Sequence, residues 1–150
     1  MSATTERGAA ALAATREIAP LNPVCFGCGP ENADGLQLAF RATREGVAAE
    51  WIPSAKWRSF PDVVHGGIVA AALDEAMSKA IAARCARAFT AELRVRYRRP
   101  VVPGEEQYIR GWIVSRRKRM IIAEACITAL CGQERAHAWG TFLTAADPAG

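Results

Sequence analysis

Two hydrophobic rhythms run along this chain. In GLQLAFRAT, residues 35–43, Leu36, Leu38 and Phe40 alternate with Gln37, Ala39 and Arg41, the period of two that turns one strand face toward a core. Arg44-Glu45-Gly46 reads as a turn and VAAEWI (47–52) as a short returning strand. A polar loop, PSAKWRSFPDVV (53–64), then gives way to VVHGGIVAAALDEAMSKA (63–80). Small and aliphatic side chains occupy almost every face there, which predicts a buried helix from about Gly66 to about Cys85. TAELRVRYRRPV (90–101) returns to period two, with Leu93, Val95 and Tyr97 on one face and Arg94, Arg96 and Arg98 on the other. QYIRGWIV (107–114), MIIAEACITAL (120–130) and ERAHAWGTFLT (134–144) follow, separated by Pro103-Gly104, by the basic turn SRRKR (115–119) and by Cys131-Gly132-Gln133. The order is two strands, one long helix and a meander of four strands. That pattern is α+β, with an antiparallel sheet wrapped around the helix, because a helix this apolar needs a sheet to cover it.

Length and charge narrow the picture. At 150 residues, 51% hydrophobic and 23% charged, the chain is expected to form one globular domain, residues 20–146. Flexible tails are expected at 1–19 and 147–150. PLNPVCFGCGPENADG (20–35), dense in turn formers, reads as an irregular segment at the front of the domain. The net charge is +4, and lysine contributes only Lys56, Lys79 and Lys118; the rest of the positive charge is arginine. This mild basic balance suits a ligand carrying phosphates and falls short of the excess expected of a dedicated nucleic-acid binder. The only aromatic residue within the arginine strand is Tyr97, on the opposite face, so no stacking platform for single strands is expected. Five cysteines at irregular spacing point to a reducing compartment, residues 1–19 lack an apolar signal core, and Ile68–Leu73 is too short to span a bilayer. A cytoplasmic location and no membrane contact are expected.

The helix carries two adjacent acids. Glu75 has Lys79 four residues later, the favourable order for an ion pair on a solvent edge. Asp74 has only Ala70, Ala71, Met77 and Ser78 around it on its own face. A carboxylate in that setting is either buried at a cost, paired with an arginine of the sheet, or has a task. At the helix entrance, Gly66 and Gly67 leave backbone amides bare at the positive end of the dipole, open to a carbonyl oxygen or an anion; close packing or a tight turn is the plainer use of such a pair. His65 reads as a structural hydrogen-bonder at the helix start. Cys25-x-x-Cys28 lacks a second ligand pair for a structural zinc and lacks a βαβ context for redox work, so it reads as a tight turn with small buried thiols, and no metal is expected. Cys85, Cys126 and Cys131 read as core or interface residues, and His137 has no partner nearby in sequence.

HGG followed by a helical acid nine residues after the histidine resembles the hotdog-fold acyl-CoA thioesterases of the phenylacetate-degradation and 4-hydroxybenzoyl-CoA type. CFGCGPENADGL, TAELRVRYRRPV and the closing WGTFL extend that resemblance over residues 25–144. It implies a hotdog fold, with a long central helix wrapped by the sheet, and a homodimer, or a dimer of dimers, with active sites at the interface. The Gly66 N–H would polarise the thioester carbonyl, and Asp74 would act as nucleophile or as general base for water. Ser78 and Thr90 fall where relatives place a hydroxyl that positions water or the acid. His65 and Gly67 would border the substrate, and Arg117, Lys118 and Arg119 would meet CoA phosphates, a task suited to arginine's fork geometry. Many relatives carry Asn or Gln six residues before the histidine, where this chain has Ser59 beside Arg58. Trp57, Phe60 and Met77 are candidate liners of an acyl pocket.

Hydrolysis of an acyl-CoA thioester, without metal or redox cofactor, is therefore the expected function. A hotdog hydratase would need a paired Asp and His that the sequence does not show. A non-catalytic acyl-CoA or small-ligand binding protein on the same fold is the alternative, kept open by Ser59. Release of free CoA separates the two.

Overall fold

A computed structural model describes residues 16–84 and 87–145. Strands β1 (Arg41–Ala42) and β2 (Val47–Trp51) precede a single 3-10 turn, Ala55–Trp57, and helix α1 (Gly66–Ala82). Strands β3 (Ala88–Tyr97), β4 (Gln107–Arg117), β5 (Met120–Ala129) and β6 (Glu134–Thr144) follow. All six join one antiparallel sheet in the order β1-β2-β4-β5-β6-β3. The α+β architecture and the central helix are as the hydrophobic pattern predicts.

Cross-strand register sorts the sheet into two faces. Ile113–Ala123–Gly140–Leu93 and Gly111–Ala125–Ala138–Val95 form rows on the face that meets α1. Small residues in these rows let the helix press close. A Cβ on Gly111 would stand 2.4 Å from the Ala76 carbonyl oxygen, and one on Gly140 would stand 3.0 Å from Met77 Sδ. Around that contact Phe40, Leu73, Met77, Ile81, Ile109, Ile121, Ile127 and Phe142 are fully buried, each worth about 1.5–3 kcal/mol of transfer free energy.

Four expectations need correction. Leu36, Leu38 and Phe40 are buried while Gln37, Ala39 and Arg41 are exposed, yet only Arg41–Ala42 pairs with β2. Gln37 has φ of +51°, which breaks the extended run, and the Leu36 and Leu38 N–H groups donate to the carbonyls of Phe26 and Gly27 instead. The helix ends at Ala82, short of Cys85, which lies outside the described residues. β3 does not continue the meander. It crosses the sheet and pairs with β6, leaving β4-β5-β6 as the meander. The basic turn shrinks to Lys118-Arg119, with φ of +54° at Lys118, because β4 extends through Arg117. Of the expected N-terminal tail, residues 1–15 lie outside the described residues, while Glu17 bridges to Arg41 and Ile18 packs on the core. The expected C-terminal tail, 147–150, also lies outside them. No helix among the described residues is long and apolar enough to cross a membrane.

The outer sheet face carries the arginines of β3, and it is not bare of aromatic rings. Trp139 lies opposite Arg94 with the guanidinium 4.5 Å from its ring centroid, and Trp112 packs edge-on against His137. His137 Nε2 is 2.8 Å from a Glu124 carboxylate oxygen. Its Nδ1 lies 3.5 Å from Glu134, three residues earlier, so His137 has a partner on the adjacent strand and one nearby in sequence, where none was expected.

Candidate active site

The entrance of α1 is capped by His65, whose Nδ1 accepts from the Gly67 N–H at 2.9 Å, and whose carbonyl accepts from Ile68 and Val69. That is the structural role expected of this histidine. Among the described residues the Gly66 N–H has no acceptor, so of the two glycines Gly66 keeps the free donor. On its other side the Gly66 carbonyl accepts from the Tyr97 hydroxyl at 2.7 Å. Tyr97 reaches it because β3 presents Leu93, Val95 and Tyr97 toward the helix.

A cleft of about 340 Å³ opens at this end of the helix. Gly66, Ser59, Tyr97 and Arg99 contribute its polar edge, and Phe60, Val63, Val69 and Val101 its apolar wall. Ser59 is exposed, and its hydroxyl lies 3.4 Å from the Val63 carbonyl. Arg98 and Arg99 both line the cleft; Arg98 is paired with Glu134 at 2.7 Å, whereas Arg99 forms no ion pair among the described residues. Sequence reasoning misses Arg99 and Tyr97 as cleft residues. The β3 alternation carried the signal for Tyr97, and nothing local marked Arg99 off from its neighbours. Of the three candidate acyl-pocket residues only Phe60 lines this cleft. Trp57 meets Phe26 edge-on, and Met77 is sealed in the core against Gly140.

Asp74 lies eight residues further along α1, about 12 Å from Gly66 at 1.5 Å per residue. It is half-buried, and its Oδ1 accepts from the Thr90 hydroxyl at 2.7 Å. No arginine or lysine pairs with it among the described residues, so the structural ion pair weighed above is absent there. Burial pushes the Asp74 carboxyl above the usual carboxylate range, and the Thr90 hydroxyl partly offsets that rise. Ser78 sits half-buried one turn beyond on the same face. The chain thus brings Thr90 to Asp74 and Ser59 to Gly66, in two separate places.

Glu75 departs from expectation. Lys79 is only 5% exposed, so this stretch is no solvent edge. Glu75 faces the N-terminal loop, close against Gly27 and within 4.8 Å of the Cys25 and Cys28 sulfurs. Burial, then Glu75, push the buried Cys28 thiol up to about 12, with Lys79 opposing.

The basic hairpin lies at the far end of β4 and β5. Arg117 and Lys118 are exposed, while the Arg119 side chain donates to the Thr144 carbonyl at 3.0 Å.

Residues 62–135 match a family model described as the thioesterase superfamily. The chain has that superfamily's hotdog fold. A crystal structure of a thioesterase superfamily protein is 28% identical, with a TM-score of 0.74 over 81% of this chain. The match spans 62% of that protein's length. A Bacillus halodurans protein solved with CoA is 26% identical over 63% of this chain and 68% of its own, with a TM-score of 0.59. The E. coli PaaI protein from the phenylacetic acid degradation operon shares the fold at 16% identity and a TM-score of 0.67, over 72% of this chain and 83% of its own. No curated protein matches the chain in sequence.

Proposed function

We propose that this protein hydrolyses an acyl-CoA thioester at a site built by two copies of the chain. The observation that carries the reading is the pairing of two features on one helix: a Gly66 amide at a cleft that has no acceptor among the described residues, and a half-buried Asp74 that is held by Thr90 and has no ion-pair partner among them. An oxyanion donor must lie within about 3 Å of the carbonyl oxygen. The base must reach the adjacent carbon directly or through one water. One thioester carbonyl cannot span the roughly 12 Å between Gly66 and Asp74 of a single helix. Apposing two helices, so that Gly66 of one copy faces Asp74 of the other, resolves this and yields two equal sites. Strand β3 supports such an arrangement, since it ends the sheet with ten residues whose outer edge has no strand partner among the described residues.

In this reading the thioester carbonyl oxygen accepts from the Gly66 N–H. The ionised Asp74 takes a proton from water, whose oxygen attacks the carbonyl carbon. The negative charge that develops on the oxygen is held by Gly66, and collapse of the intermediate breaks the C–S bond and releases CoA thiolate. Direct attack by Asp74, through an anhydride, uses the same geometry. Single turnover in heavy-oxygen water distinguishes the two: label enters Asp74 only through the anhydride. Phe60, Val63 and Val69 would receive the acyl group, and Arg99 with the hairpin residues Arg117 and Lys118 would meet phosphates. The Bacillus halodurans relative solved with CoA supports this ligand class.

The alternative, a non-catalytic acyl-CoA binder, rests on Ser59 standing in the cleft without a carboxamide. A panel of acyl-CoAs assayed for free CoA, beside direct CoA binding, decides between them. Release that Asp74→Asn abolishes supports hydrolysis; tight binding without release supports the alternative.

A further inference from the structure

The sequence counts two possible metal ligands in Cys25-x-x-Cys28. Folding supplies a third. The sulfurs of Cys25 and Cys28 and a Glu75 carboxylate oxygen all lie within 4.8 Å of one another, two on the N-terminal loop and one on α1. We propose that these three residues bind a thiophilic divalent cation of the zinc type, which fastens the N-terminal loop to the central helix.

The loop is already shaped for it. The Gly29 N–H donates to the Cys25 carbonyl at 2.8 Å and closes the turn that brings the two sulfurs together. The Phe26 and Gly27 carbonyls accept from Leu36 and Leu38, which anchor the turn against the next segment. Gly27, between the cysteines, lies so close to the helix that a Cβ would stand 2.4 Å from Glu75 Oε2. A residue with a side chain there would drive the carboxylate out of the cluster. Tetrahedral zinc with bonds of about 2.3 Å to sulfur sets its ligand sulfurs roughly 3.8 Å apart, so each pair here closes by no more than about 1 Å. Cys25 is only partly buried, which leaves the fourth position to water.

Charge fits as well. Lys79 is one helical turn from Glu75 and nearly fully buried, and it opposes the rise of the Cys28 thiol. Binding exchanges both thiol protons for one divalent ion. Two thiolates and a carboxylate then carry three negative charges against the ion's two positive ones, and the Lys79 side chain nearby offsets the third. Lys79 stands where a neighbouring donor would stabilise the Cys28 thiolate on the metal. This inference does not depend on the thioesterase reading.

The test uses the full chain, reduced with a non-chelating phosphine, stripped by a chelator and titrated with Zn²⁺ and with Co²⁺. The expected result is about one ion per chain, sub-micromolar affinity, a thiolate-to-cobalt charge-transfer band and a higher Tm with zinc. Cys28→Ser is expected to weaken binding at least 100-fold, and Cys25→Ser, at a less buried position, serves if that variant fails to fold. Cys131→Ser, at an exposed cysteine elsewhere, is expected to bind like the parent. Failure of the reduced parent to take up either ion would overturn the proposal. So would equal binding by a Cys25 or Cys28 variant, or a cobalt complex lacking the thiolate band.

Discussion

Asp74 and Glu75 are neighbours in sequence and about 100° apart around α1, and their surroundings have little in common. Asp74 looks toward β3, accepts one hydroxyl from Thr90 and has no ion-pair partner among the described residues. Glu75 looks the other way, into a loop from the front of the chain, where two thiols crowd around it. One acid is held by a single strand hydroxyl; the other is packed against the N-terminal loop. The lesson is that apolar helices carry acids for different reasons, and that what decides is the strand or loop each side chain faces.

The largest expected effect tests that division. Asp74→Asn should lower kcat by several powers of ten while folding and CoA binding persist. It should also melt at or above the parent temperature at neutral pH. Burial raises the folded Asp74 carboxyl above its unfolded value, so its contribution to stability is present at low pH and lost as pH rises through the folded value. At neutral pH the charge is a liability that Asn removes. Loss of turnover coupled to loss of Tm would instead make Asp74 a structural residue.

Replacing Arg117, Lys118 and Arg119 together with Ala should raise KM for CoA esters about tenfold, a penalty that shrinks at high salt. Esters of a truncated thiol carrier without nucleotide phosphates should show little difference. An equal loss with both substrates would remove the hairpin from phosphate contact. Most of the effect should come from Arg117 and Lys118, since Arg119 already holds the Thr144 carbonyl.

Glu75→Gln is the counterpart of the first variant. It removes the carboxylate one helical turn from the nearly fully buried Lys79, at a cost of about 1–3 kcal/mol. A chain of this size should then melt about 3–10 °C lower, with kcat within about tenfold of the parent. Thermal melts beside a turnover assay check both. A variant that keeps its Tm and loses turnover as Asp74→Asn does would erase the contrast.

Thr90→Val gives the smallest effect and the finest test. The Thr90 hydroxyl holds the Asp74 carboxyl below where burial alone would put it. Its loss should move the acid limb of the kcat profile to higher pH, because Asp74 must be ionised to act as base. An unmoved limb would show that another group governs it.

What could be read ahead of the structure follows from the range of each physical rule. Leu93, Val95 and Tyr97 were assignable to the helix face because alternation is a property of the strand itself. The helix start at Gly66, and the gap from there to Asp74, follow from helix geometry. The Glu75 environment was misjudged because the i,i+4 rule looks only along the helix, whereas Gly27 and Cys28 come from about fifty residues upstream. β3 was placed beside β4 for a similar reason. The nine-residue link, 98–106, carries Pro100 and Pro103 and is long enough to let β3 cross to β6, and nothing in strand periodicity records that choice. Leu36–Phe40 kept its alternating burial and lost its ladder, since side-chain pattern and backbone pairing are separate constraints and Gln37 breaks only the second.

The shared site is the central claim, and subunit complementation tests it most directly. Chains carrying Asp74→Asn keep an intact helix entrance, and chains carrying Gly66→Leu keep the acid. Mixed in equal amounts and exchanged, they should form about half heterodimers, each with one intact site joining Gly66 of the first chain to Asp74 of the second. Recovery to about one quarter of parental activity is expected from two inactive parents. Exchange verified by mass, with both variants folded and no activity regained, would contradict it.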